Sequence, residues 1–93
     1  MMLRFYEDPE TNLPHICRHE ISEHEVEDVL KRPIEDRVGR EGARIAIGQT
    51  RSGRYLRVIY VPDPERDSLF VITAYELGPK ARRALQRRRK KKP

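Results

Sequence analysis

Between Ala43 and Glu76, three runs of β-forming residues follow one another with only a few residues between them. Ala43 to Gln49 places Ile45 and Ile47 at strand spacing, Tyr55 to Val61 alternates along its length, and Ser68 to Glu76 is the most apolar of the three. Arg51-Ser52-Gly53 reads as a hairpin turn and Asp63-Pro64-Glu65-Arg66-Asp67 as a second turn, with Pro62 expected to end the middle strand. Connections this short cannot carry a crossover, so the strands must run antiparallel as a meander. At 93 residues the chain has room for one domain with a small core.

The residues before the sheet have a different period. Ser22 and Glu25 have the spacing of a capping box, and Ile21 with Val26 forms a hydrophobic staple around it. Val26, Val29 and Leu30 fall on one helical face, with Glu23, Glu27 and Asp28 on the other. Acids open this helix, Lys31 and Arg32 close it in keeping with its dipole, and Pro33 stops it, which predicts a helix over Glu23 to Lys31. Upstream, Leu3 to Tyr6 reads as a short strand, Asp8 to Asn12 as a turn and Pro14 to His19 as a short helix. Gly78-Pro79 opens a last helix with Ala81, Ala84 and Leu85 as a thin apolar stripe, expected to pack weakly and fray into the basic run. The expected class is α+β: N-terminal helices, a small three-stranded antiparallel sheet and a basic C-terminal helix. An extra strand fits at Asp36 to Arg40 or at the N-terminus. Residues 1–79 form the single domain and residues 80–93 the polybasic helix or tail.

Charge is segregated. Lys80 to Lys92 holds nine Lys or Arg and no acid, whereas the remainder holds 11 cations against 15 acids. A body of net charge −4 thus carries a segment of +9, and the chain totals +5. Such segregation is the electrostatic footprint of a partner for a polyanion, most often nucleic acid; the plainer reading is a solvated terminus. The longest apolar stretches are four to five residues, which excludes a membrane-spanning helix. The first ten residues lack the apolar core of a secretion signal, and Cys17 is the lone cysteine, which together fit a reducing cytoplasm.

Two-residue alternation sorts the strand residues by face. With Phe70, Ile72 and Ala74 turned to the core, Val71, Thr73 and Tyr75 face away; with Leu56, Val58 and Tyr60 inside, Tyr55, Arg57 and Ile59 lie opposite. Arg57, Thr73, Tyr75 and Tyr55 then share one surface, with Arg44, Arg51 and Arg54 at strand ends or in the turn. Arginine interleaved with tyrosine is what an RNA-binding sheet uses, guanidinium for phosphate and phenol rings for bases; the alternative is a half-exposed, solvated sheet face.

In motif order, the chain resembles a known toxin group. Arg18-His19-Glu20-Ile21-Ser22-Glu23-His24-Glu25-Val26 is similar to the helix start of the BrnT-type toxins, which a related small family of unknown function shares. Ile47-Gly48-Gln49-Thr50, Gly53-Arg54-Tyr55-Leu56-Arg57-Val58 and Leu69-Phe70-Val71-Ile72-Thr73-Ala74-Tyr75 follow in the group's order, so that the likeness covers roughly Pro14 to Tyr75. The resemblance implies a RelE-like fold, ribonuclease activity and sequestration by an acidic antitoxin. The chain departs from the group where its members close the last strand with Ser-Ala-Arg: here Thr73-Ala74-Tyr75 stands, and the basic extension also differs.

Metal-independent RNA cleavage needs a base for the 2′-hydroxyl, an acid for the leaving 5′-oxygen and cations for the charge that builds on phosphorus. His19 is the candidate acid or base, since imidazole titrates near neutrality. Arg57 and Arg54 are candidates to clamp phosphate, and Tyr75 or Lys80 can fill the second proton-transfer role. Arg44, Arg54, Tyr55, Lys80, Arg83, Arg87 and Arg88 are assigned to RNA binding. No cofactor is called for. His15, Cys17, His19 and His24 lie within ten positions, and His15 and His19 have ligand spacing, but no second element completes a closed metal site; Cys17 is expected to be a buried or half-buried small apolar residue. Two other readings stand beside cleavage: a nucleic-acid-binding module without chemistry, and an interaction module whose sheet docks an acidic helix.

Overall fold

The computed structural model describes residues 2–90. The last residues of the basic segment, Lys91, Lys92 and Pro93, lie outside them. The order is β1 (Met2–Phe5), a 3₁₀ helix (His15–His19), α1 (Glu23–Lys31), β2 (Glu35–Val38), β3 (Arg44–Gln49), β4 (Tyr55–Asp63), a 3₁₀ turn (Pro64–Arg66), β5 (Ser68–Glu76) and α2 (Pro79–Lys90). The class is α+β. Both candidate extra strands form, so the sheet has five strands in the order β1-β5-β4-β3-β2. The short links make β2 to β5 antiparallel, whereas β1 joins the outside of β5 in parallel, and the sheet is therefore mixed.

α1 forms where its caps place it. The Ser22 hydroxyl accepts from the Glu25 backbone N–H at 3.2 Å, and the Glu25 carboxylate accepts from the Ser22 N–H at 3.0 Å. Val26, Val29 and Leu30 are buried against Ala46, Leu56, Val58, Tyr60, Val71 and Ala74. Ile16 of the 3₁₀ helix and Ile21 complete this core on the first face of the sheet. Gly48 lets α1 approach β3, since a Cβ there would stand 3.1 Å from Val29 Cγ1.

Three expectations need correction. Pro62 does not end β4, which runs on to Asp63; β3 pairs only as far as Tyr60, so β4 has a single neighbour at Pro62 and can spare its donor. Alternation along β5 breaks at a bulge: Ile59 pairs with Thr73 but Tyr60 with Val71, which leaves Ile72 extra. Val71 and Ala74 are therefore both buried in the first core, and Phe70 and Ile72 turn away together to line one hollow. Cys17 is exposed, because Ile16 takes the inward position of the 3₁₀ helix.

α2 is helical through Lys90 and is anchored on the second face by Leu85. Leu85 is fully buried with Ile47 and Leu77, and Ile34, Ile45, Tyr55 and Ala81 pack around them. Arg88 clasps Glu35 of β2 through two bonds of 2.7 and 2.9 Å. No helix among the described residues is long and apolar enough to cross a membrane.

Candidate functional site

α2 covers only the β3–β2 side of the second face. The β4–β5 side stays half open, and onto it the strands project Arg57, Ile59, Val61, Phe70 and Ile72, with Arg4 of β1 stacked 5.2 Å over the Phe70 ring. Here the register sets Arg57 directly opposite Tyr75.

Arg57 is half buried, and its Nε is buried without a hydrogen-bond partner among the described residues. One terminal nitrogen donates to the Tyr75 hydroxyl at 3.4 Å, and the guanidinium carbon stands 5.8 Å from the ring centre. Among the described residues no carboxylate pairs with it, in contrast to Arg4, Arg18, Arg44, Arg51, Arg54, Arg66 and Arg88. Tyr75 lies past Val71, the last β5 residue in register with β1, and the 3₁₀ helix packs on β5. This brings the exposed His19 ring to 6.3 Å from Tyr75. The three residues assigned to catalysis, scattered over the chain, thus form one cluster.

The cluster extends further. The His15 ring stands 5.4 Å from His19, and Tyr6 stands 6.2 Å from His15. His15 is placed by a backbone bond to the Tyr6 carbonyl at 2.9 Å, and its Nδ1 lies 3.6 Å from the buried Asp8 carboxylate, which also receives Arg18. The His15–His19 spacing was legible in the sequence, although as ligand spacing; among the described residues no three potential ligands gather around an ion. Tyr6 carries no local signal, since only the fold of the Tyr6–His15 loop brings it to the row.

The residues assigned to RNA binding separate into two groups. Arg54 is consumed internally: it donates to the Glu25 carboxylate at 2.9 and 3.0 Å, to Glu76 at 3.1 Å and to the Glu20 carbonyl at 3.0 Å. The bond to Glu25 raises its pKa further. Burial pushes the Glu25 carboxyl up, but the Ser22 N–H and Arg54 outweigh it and hold the carboxyl below its usual value. Arg44 is bound at 3.0 Å to Asp36, which also accepts from the Tyr60 hydroxyl at 2.7 Å; burial, then Asp36, raises the Tyr60 pKa. Tyr55 lies in the α2 cluster beneath Arg82, 4.8 Å from its ring. Arg88 is committed to Glu35, which raises its pKa. Lys80, Arg83 and Arg87 are exposed and recur on one side of α2.

Comparison with protein families matches residues 16–76 to the family described as a domain of unknown function, DUF4258. The match spans well over half of the chain, which therefore belongs to that family. It takes in His19, Arg57 and Tyr75, together with the Glu25–Arg54–Glu76 cluster, and leaves β1 and α2 outside. Comparison with curated proteins and with solved structures gives no match.

Proposed function

We propose that this DUF4258 chain is an RNA-binding protein of the toxin–antitoxin type that cleaves RNA without a metal ion, working at the Arg57–Tyr75–His19 cluster. One observation carries the reading: Arg57 is held on an open sheet face with no carboxylate among the described residues, over the Tyr75 ring, which an exposed histidine approaches from another segment. A half-buried cation without an anionic partner is electrostatically unsatisfied, and a phosphate seated on it would supply the missing charge. The likeness to BrnT-type, RelE-like ribonucleases in motif order supports the same reading, and with it an acidic antitoxin as protein partner.

In the proposed step the RNA 2′-oxygen attacks the adjacent phosphorus. His19 takes the 2′ proton, the phosphorus–O5′ bond breaks, and a proton reaches O5′ from the Tyr75 hydroxyl or from water. The products are a 2′,3′-cyclic phosphate and a 5′-hydroxyl. Arg57 stabilises the charge that grows on the phosphoryl oxygens, the largest service such a cation gives. Lys80, Arg83 and Arg87 add sequence-independent attraction for the backbone.

The test is incubation of labelled RNA with the protein in EDTA, beside the same RNA carrying 2′-deoxyriboses. Cleavage of the first alone, leaving cyclic phosphate ends, is expected. RNA that is bound but left intact would overturn cleavage in favour of a binding module without chemistry.

A further inference from the structure

The rings around the proposed centre form a continuous row. Tyr6, His15, His19 and Tyr75 follow one another at 6.2, 5.4 and 6.3 Å between centroids and end at the Arg57 guanidinium. They come from the loop after β1, from the 3₁₀ helix and from β5. Two of them are well exposed: Tyr6 keeps 43% of its surface, and His19 stands free on the 3₁₀ helix. The rings are tilted against their neighbours by 56°, 73° and 59°, so they do not close into a stack of their own, and ring surface stays open to a ligand. Aromatic residues on the outside of a small domain are normally scattered; a row of four that leads to an unpaired cation has the form of a track for unstacked bases.

Resting on the RNA reading above, we infer that the substrate is single-stranded RNA, with its unpaired bases stacking along Tyr6 and His15 and its scissile phosphate delivered to Arg57. A duplex cannot use such a track, because its base faces are buried in its own stack. Asp8 and Glu10 beside the track are already engaged: Asp8 is held by Arg18, which also binds Glu10 at 3.1 Å. Tyr6 is the residue to change, since its backbone bonds to Val71 and His15 survive truncation of an exposed side chain. It also lies outside the matched family segment.

The experiment measures binding of a labelled single-stranded RNA and of an RNA duplex by wild type, Tyr6→Ala and Tyr6→Phe, with cleavage suppressed by 2′-deoxy substitution. Loss of one stacked ring weakens single-strand binding about tenfold in Tyr6→Ala. Tyr6→Phe retains the affinity, and duplex binding through α2 is the same in all three. Unchanged single-strand binding by Tyr6→Ala overturns the track, as does equal loss in Tyr6→Phe. Failure of the wild type to bind either RNA overturns the RNA reading itself, a different result from loss of single-strand preference alone.

Discussion

The two faces of the sheet are finished differently. The first is sealed: α1 and the 3₁₀ helix close over Leu56, Val58, Val71 and Ala74, all fully buried. The second is sealed only where Leu85 anchors α2, and its other half presents Arg57 and apolar side chains that remain partly exposed, with Tyr75 opposite Arg57 also packing against the first core. Arg54 and Arg57, three residues apart on one hairpin, show the same contrast. Arg54 is saturated by Glu25, Glu76 and the Glu20 carbonyl, whereas Arg57 has one long bond to a phenol. Charge beside the sealed face is neutralised in place; on the open face Arg4 is paired with Asp63, whereas Arg57 has no carboxylate partner among the described residues. The same residue type thus serves architecture in one place and, in the proposed function, recognition in the other.

The largest effect separates the faces directly. Leu56→Ala leaves a cavity in the sealed core and is expected to cost about 3 kcal/mol, whereas Ile59→Ala on the open face costs about 1 kcal/mol, read by chemical denaturation. Equal losses would erase the distinction. Next, Arg54→Ala strands Glu25 and Glu76 and lowers stability by about 1–2 kcal/mol after allowance for their partial exposure. Arg57→Ala breaks no ion pair and stays within about 0.5 kcal/mol of wild type. Acid unfolding sharpens the same contrast. The Glu25 carboxyl is held low in the folded state, so its contribution is complete above the usual glutamate value and fades as pH falls through the lowered one; Glu25→Gln removes that part of the pH dependence. The smallest effect lies on α2: Arg83→Ala and Arg87→Ala each reduce the slope of log affinity for RNA against log salt by about one, with stability unchanged.

Much of the architecture was legible because its signals are local. The capping box, the Val26-Val29-Leu30 stripe and the short turns depend on neighbours in sequence, and α1, β3 and β5 form where those signals place them. The parallel pairing of β1 with β5 and the bulge at Ile72 are set by tertiary register, which a two-residue period does not encode. The site was legible in part for the same reason. Alternation correctly puts Arg57 and Tyr75 on one face, because the register runs unbroken from Leu56–Glu76 to Ile59–Thr73 and the bulge lies beyond that stretch. It could not tell an arginine destined for Glu25 from one left unpaired, since Glu25, Arg54 and Glu76 meet only in the folded chain. Tyr6 was invisible because its neighbours in the ring row come from another segment.

The most direct test of the account is cleavage of a labelled structured RNA in EDTA by wild type beside the Arg57→Ala/Tyr75→Phe double variant, with both melting curves recorded. The account predicts that the wild type cleaves, and that the double variant is folded, melts close to wild type and leaves the RNA intact. A folded double variant that cleaves as fast as wild type would contradict it and move the chemistry off the open face.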